Sequence, residues 1–269
     1  MSKNFYSINN KVIESKTEEE IKIIKQAAKI LCKIIEIAKK NIKVGISTKE
    51  LDEIIYENIL KHNCEPAFKG YRGYPASSCI SIDSELVHGI PKKEKKISKS
   101  QIVSIDVGLK YEGFYADAAT TVLVGEKDNK KWHLLNITYN SILQVLPYIK
   151  ENVRVGDIGF QIQQYVEKNG YNVIREYVGH TIGRNLHEKP DIPNFGIQSE
   201  GERLISGMVI CIEPMVSMGD YNTSVLDDGW TVIMKDGSLC AHYEHMILIN
   251  KESAELLTDE NIVKPQIII

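Results

Sequence analysis

Five scattered side chains carry the chemistry available to this chain: Asp106, Asp117, His180, Glu213 and Glu244. Each lies in or beside a short apolar or glycine-rich run. Asp106 ends Ile102-Val103-Ser104-Ile105, Glu213 follows Val209-Ile210-Cys211-Ile212, and His180 stands in Val178-Gly179-His180-Thr181-Ile182-Gly183. An unpaired charge in such a setting is costly. Carboxylates drawn together repel unless a proton or a cation lies between them. Taken singly, His180 reads as a satisfied core histidine and either glutamate as half-exposed. The joint pattern is the signal. Carboxylates with one imidazole and no cysteine suit Mn²⁺, Fe²⁺, Co²⁺ or Zn²⁺ in an open site rather than a structural zinc. The chemistry expected is that of a two-metal hydrolase.

The elements around these residues must bring them together. Asp106 and Asp117 flank a turn at Lys110-Tyr111-Glu112-Gly113. A hairpin closing symmetrically about Tyr111-Glu112 makes them direct cross-strand partners, with Cβ atoms about 5 Å apart. Glu213 precedes Pro214, which holds it extended at a strand end. Upstream, Thr17-Glu18-Glu19-Glu20 is a capping box, and apolar residues at 21, 24, 28, 31, 35 and 38 continue it as a helical stripe. Ser47-Thr48-Lys49-Glu50 opens a second helix that ends near His62-Asn63. A β-rich stretch runs from Ser77 to Val124, and a helical pattern from Asp128 to Lys150. Asp157 caps a further helix to about Lys168. Strands are expected at Val173 to Val178, Met208 to Ile212, Thr231 to Met234 and His242 to Ile249. The order helix, helix, strands thus occurs twice, with Ile42-Lys43-Val44-Gly45 echoed by Val153-Arg154-Val155-Gly156. That predicts an α+β fold of two pseudo-twofold halves with a ligand site between them.

Composition narrows the function classes. The 269 residues suit one large domain, and a formal net charge of −3 with 26% charged residues gives no field that points to DNA or a membrane. The five cysteines (Cys32, Cys64, Cys79, Cys211, Cys240) are odd in number and widely spaced, which argues for reduced thiols. The N-terminal Met1-Ser2-Lys3-Asn4-Phe5-Tyr6 has no apolar signal region, so a cytoplasmic location is expected. The run Lys92-Lys93-Glu94-Lys95-Lys96 reads first as a solvated loop and second as a basic contact for ribosomal RNA.

Short runs along nearly the whole chain, from Thr17 to Ile249, then resemble one family. They are Gly70-Tyr71-Arg72-Gly73-Tyr74-Pro75, Val87-His88-Gly89-Ile90-Pro91, Ile105-Asp106-Val107-Gly108, Gly179-His180, His187-Glu188-Lys189-Pro190, Ile212-Glu213-Pro214-Met215, Asp228-Gly229-Trp230-Thr231 and Tyr243-Glu244-His245. In order and spacing they resemble the bacterial-type type I methionine aminopeptidases. The resemblance implies the pita-bread fold, with helices packed on an antiparallel, strongly curved sheet. It implies one catalytic domain over 1–269, with 1–16 as an N-terminal segment and no zinc-finger extension, acting as a monomer on the N-termini of nascent polypeptides. It implies two divalent ions, with Asp106 on one, Asp117 and Glu244 bridging, and His180 and Glu213 on the other. Glu213 would carry the proton. His88 would hydrogen-bond at the scissile amide nitrogen and His187 at the substrate carbonyl. Phe68, Tyr71, Tyr74, Cys79, Leu186 and Trp230 would form the methionine pocket. A monovalent cation on backbone carbonyls near Asp83, Glu85 and Cys240 is also implied. Phe68 and Leu186 depart from close relatives, which carry Cys and Phe there. Thr181 and Asn185 depart from the family's glycine pattern, and Gly108 stands where some relatives have Thr. An Xaa-Pro aminopeptidase or prolidase of the same fold is the alternative enzyme, and a metal-free binding protein the alternative without chemistry.

Overall fold

The computed structural model describes residues 5–8 and 11–269. The reading of Met1 to Asn4 lies outside the described residues. An opening hairpin, β1 (Phe5–Ile8) and β2 (Lys11–Glu14), leads into α1 (Glu18–Asn41) and α2 (Thr48–Lys61). Both capping boxes form. Thr17 accepts from the Glu20 amide while the Glu20 carboxylate accepts from the Thr17 amide, and Ser47 and Glu50 repeat the exchange. The apolar stripe of α1 buries Ile24, Ala28, Leu31, Ile35 and Ala38 completely, against the sheet that follows.

That sheet comprises β3 (Glu65–Pro66), β4 (Ser78–Ile82), then past β5 (Glu85–Val87) the long hairpin β6 (Ile102–Tyr111) and β7 (Phe114–Val124). α2 fixes its edge. The buried Asp52 carboxylate accepts from the Ser77 and Ser78 amides at 2.9 and 3.0 Å and from Ser78 Oγ at 3.0 Å.

The second half starts with α3 (Asn129–Val145), capped by Asp128, and α4 (Val155–Lys168). Here Asp157 stands at the third helical position rather than at the cap, accepting from the Arg154 amide at 3.2 Å. The helix starts earlier than expected, and Gly156 lies in its first turn. A Cβ on Gly156 would sit 2.5 Å from Ile197 O. The strands are β8 (Asn172–Val173), β9 (Gly179–Thr181), β10 (Glu188–Ile192), β11 (Val209–Ile212), β12 (Met215–Ser217), β13 (Thr223–Val225), β14 (Val232–Met234), β15 (Cys240–His242), β16 (His245–Ile249) and β17 (Ala254–Leu256). A short helix α5 (Glu260–Val263) and β18 (Gln266–Ile268) follow. The strand expected over Val173 to Val178 shrinks to β8. The one expected over His242 to Ile249 breaks at Tyr243-Glu244 into β15 and β16.

In sheet order, β18-β7-β6-β3 with β4 on β6 forms the first half's sheet, and β10-β9-β11-β16-β17 the second's. Smaller sheets β15-β12-β8 and β13-β14-β5 close the sides, the latter joining the halves. The pairings are antiparallel except β18 with β7. Two large buried apolar clusters are centred one in each half, the first also taking in Ile182, Leu186, Val209, Cys211, Met246 and Leu248 and the second Ile102 and Leu123. Among the described residues no helix is long and apolar enough to cross a membrane.

Candidate metal centre

The two halves meet edge to edge where the Glu244 amide donates to Ala119 O at 2.9 Å. All five predicted ligands lie at this seam. Asp106 is on β6 and Asp117 on β7. His180 lies within β9, whereas the strand expected from the sequence ended at Val178. Glu213 sits between β11 and β12, and Glu244 in the break between β15 and β16. The break frees the Glu244 backbone to cross to the other half.

The β6–β7 register differs from the symmetric expectation by two residues. Tyr111 pairs with Phe114, so Asp106 faces Ala119 and Asp117 faces Gly108. The two-residue turn Glu112-Gly113 has φ of 46° and 86°, the doubly positive geometry that favours glycine and closes a tight hairpin. Asp106 and Asp117 are therefore diagonal neighbours on one face. Donor oxygens of Asp106, Asp117 and Glu244 still lie within 4.8 Å of one another. His180 Nε2 is 3.6 Å from Glu213 Oε1, 3.8 Å from Glu244 Oε1 and 4.0 Å from Asp117 Oδ2.

Without a cation this cluster is electrostatically unfavourable. Asp106 Oδ1, Asp117 Oδ1 and Glu244 Oε1 are buried and have no hydrogen-bond partner among the described residues. Burial pushes the Asp106 carboxyl up to about 6. Burial, reinforced by neighbouring carboxylates, pushes Asp117, Glu213 and Glu244 well above the usual range. Burial also holds His180 down at about 3, so it presents a neutral imidazole. A neutral imidazole, orphaned oxygens and crowded carboxylates are the donor chemistry of a divalent-cation site. The residues fit such a group.

The apolar side is equally assembled. Phe68, Tyr71, Tyr74, Cys79, His88, Leu186, His187 and Trp230 line one cavity of about 150 Å³ together with all five ligands. Trp230 stacks edge-on with Tyr74 at 5.1 Å between centroids. Asp228 holds Trp230 in place, accepting from the Trp230 and Thr231 amides at 3.1 and 2.8 Å and pairing with Lys92 at 3.0 Å. Lys95 likewise pairs with Glu85 at 2.7 Å, so part of the basic run 92–96 serves the fold. Two of the departures noted in the sequence, Phe68 and Gly108, are matched to each other. A Cβ on Gly108 would lie 2.5 Å from Phe68 Cε1, so the phenyl ring fills the room that a larger residue at 108 would take.

His88 and His187 face the cleft from opposite sides. His88 has a φ of 57°, a conformation uncommon for non-glycine residues but more frequent for histidine than for most. Gly89 beside it packs so closely that a Cβ would sit 2.5 Å from Ile80 O. Burial, followed by His242 and His187, lowers His88 to about 4. His187 Nδ1 lies 2.8 Å from the Tyr71 hydroxyl.

Two residues at the centre were not anticipated. Cys211 brings its sulfur within 4.8 Å of the His180 and Glu244 donor atoms, and His242 Nε2 lies 3.4 Å from Glu213 Oε2. Each stands two positions before a predicted ligand, so the two-residue strand period was the signal that could have found them.

Comparison with known proteins agrees with this geometry. Residues 22–251 match the metallopeptidase family M24. A methionine aminopeptidase of Clostridium perfringens is 45% identical over 243 residues, which cover 90% of this chain and 97% of that protein. The structure of a methionine aminopeptidase from Thermotoga maritima superposes with a TM-score of 0.90 at 45% identity, covering 92% of this chain and all of that one (100%). A prolidase from Pyrococcus furiosus shares the fold alone, with a TM-score of 0.75, 24% identity and 65% of its chain covered. The architecture is the pita-bread fold expected from the sequence, and the chain belongs to metallopeptidase family M24.

Proposed function

We propose that this protein is a methionine aminopeptidase that removes the N-terminal methionine of nascent polypeptides when the second residue is small. The observation that carries the reading is the shared cavity: five metal donors at one end and an apolar pocket of Phe68, Tyr74, Cys79, Leu186 and Trp230 at the other. An unbranched, polarizable methionine side chain suits such a pocket. Asp106 would hold one divalent ion, Asp117 and Glu244 both, and His180 with Glu213 the second. The ions are drawn from Mn²⁺, Fe²⁺, Co²⁺ or Zn²⁺ and supply Lewis acidity when bound.

The chain's own groups divide the remaining work. Glu213 takes a proton from the attacking water and returns it to the leaving amine. His88 is neutral and hydrogen-bonds at the scissile amide nitrogen or the tetrahedral intermediate. The Tyr71 hydroxyl donates to His187 Nδ1, which leaves the Nε2 proton of His187 for the substrate carbonyl and its developing negative charge. The two halves act as one catalytic domain, as a monomer in the cytoplasm, where the five buried free thiols stay reduced. The exposed lysines of 92–96 are the proposed ribosomal contact. A monovalent cation would draw on the Asp83 and Glu85 carbonyls, which converge on Cys240 Sγ at 3.3 and 3.4 Å.

The test is cleavage of Met-Ala-Ser and Ala-Pro-Ser peptides by chelated protein with Mn²⁺, Fe²⁺ or Co²⁺ restored. Metal-dependent release of methionine alone is expected, and the Asp106→Ala and His180→Ala variants should lose it while keeping the native circular dichroism. Release of alanine from the proline peptide without cleavage of the methionine peptide would replace the reading with an Xaa-Pro exopeptidase.

A further inference from the structure

Three of the four histidines that line the clefts have roles above, and His242 has none. It closes β15 and is 2% exposed. Its backbone is clamped by one buried hydroxyl: Thr121 Oγ1 donates to His242 O at 2.5 Å and accepts from His242 N at 3.1 Å. Its Nε2 has no hydrogen-bond partner among the described residues. The polar atom it faces is Glu213 Oε2, at 3.4 Å. The other oxygen of that carboxylate, Oε1, lies 3.6 Å from His180 Nε2. Glu213 is thus spread between two imidazoles, one inside the ligand cluster and one outside it.

We infer that His242 is a positioning residue for the reaction. Its neutral ring donates the Nε2 proton to Glu213 Oε2 and holds that carboxylate with Oε1 turned into the ligand cluster. Buried N–H groups are seldom left unpaired, and this one has a carboxylate oxygen at 3.4 Å, about 0.2 Å beyond the ordinary hydrogen-bond range. A glutamate side chain has free torsions that metal ligation by one oxygen leaves open. A donor on the second oxygen removes that freedom, as partners behind metal ligands generally do. The inference rests on the reading of Glu213 as ligand and proton carrier.

Three variants test it. His242→Leu keeps the bulk and removes the donor, His242→Gln keeps a donor of similar reach, and His242→Asn keeps a donor too short to arrive. Each is assayed for kcat and KM on Met-Ala-Ser with Mn²⁺, for Mn²⁺ binding by calorimetry, and for folding by thermal melting. His242→Leu and His242→Asn should lower kcat or Mn²⁺ affinity about 10- to 100-fold, with KM within about threefold. His242→Gln should recover at least about a third of the lost value. Wild-type kcat and Mn²⁺ affinity in His242→Leu would overturn the inference. So would equal impairment of all three variants, which would mark a packing role. If His242→Leu does not fold, the contrast between the Gln and Asn variants decides. If the wild-type protein cleaves no methionine peptide, the functional reading fails separately, and the Mn²⁺ affinities of the variants still decide the role of His242.

Discussion

Stripped of metal, this protein should lose stability as the pH rises through neutrality. In the unfolded chain the four clustered carboxyls ionise near pH 4. In the folded, metal-free chain Asp106 is raised to about 6, and Asp117, Glu213 and Glu244 higher still. The folded state therefore keeps protons that the unfolded state has released, and stability falls with pH until each group ionises. The histidines act oppositely. His88 is lowered to about 4 and His180 and His245 to about 3, so their contribution is present above about pH 6.5 and lost as the pH falls below it. Between about pH 7 and 8 the carboxyls dominate, because the unfolded histidines have released most of their protons and Lys39, lowered to about 8, opposes them by only a fraction of a proton. One retained proton gives a loss of about 1.4 kcal/mol per pH unit, and three give a ceiling of about 4 kcal/mol. The assay is urea unfolding of chelated protein at three pH values in that window, repeated with saturating Mn²⁺. The cation takes the place of the protons, so the slope should flatten and the protein should be more stable throughout. Metal-free stability that is level or rises between about pH 7 and 8 would refute the charge assignment of the cluster.

The Phe68–Gly108 pairing makes a second prediction: Gly108→Thr should cost about 1–3 kcal/mol by overpacking and reduce kcat/KM for methionine peptides. Phe68→Cys should relieve it, with a coupling energy above about 1 kcal/mol in a double-mutant cycle, and additive effects would show that the ring and the glycine are independent. Asp52→Ala leaves the Ser77 and Ser78 amides buried without their acceptor and should cost about 3 kcal/mol in urea unfolding. A loss under about 1 kcal/mol would mean that water replaces the carboxylate.

What the sequence made legible was local. Thr17 with Glu20 and Ser47 with Glu50 are complete within four residues, and both helices start where those residues place them. The convergence of the five proposed ligands was legible because charges in apolar runs stand out whatever the topology. The hairpin register was misread because Glu112, a residue not expected at positive φ, shares the turn with Gly113. The error was an even number of residues, so it kept both aspartates on the same face, and their proximity survived the wrong pairing. Cys211 and His242 were hidden for another reason. The two-residue strand period places each two positions before a predicted ligand, but what it meets there, β9 against β11 or His242 against Glu213, is a long-range fact. The break at Tyr243-Glu244 was equally invisible, since the surrounding residues read as one continuous strand.

The distribution of the ligands along the chain has a consequence for synthesis. Asp106 and Asp117 leave the ribosome on the first half, while His180, Glu213 and Glu244 follow on or beside strands whose pairing partners also belong to the second half, with the Glu244 amide bonded across to Ala119. A partly made copy holds two of the five donors and cannot assemble the centre. Hydrolytic competence therefore arrives late, with Glu244 and the strand that follows it, and a truncated or half-folded copy is silent rather than indiscriminate. Metal content then reports completed folding of each molecule, because the ions tie together the parts of the chain that are made first and last.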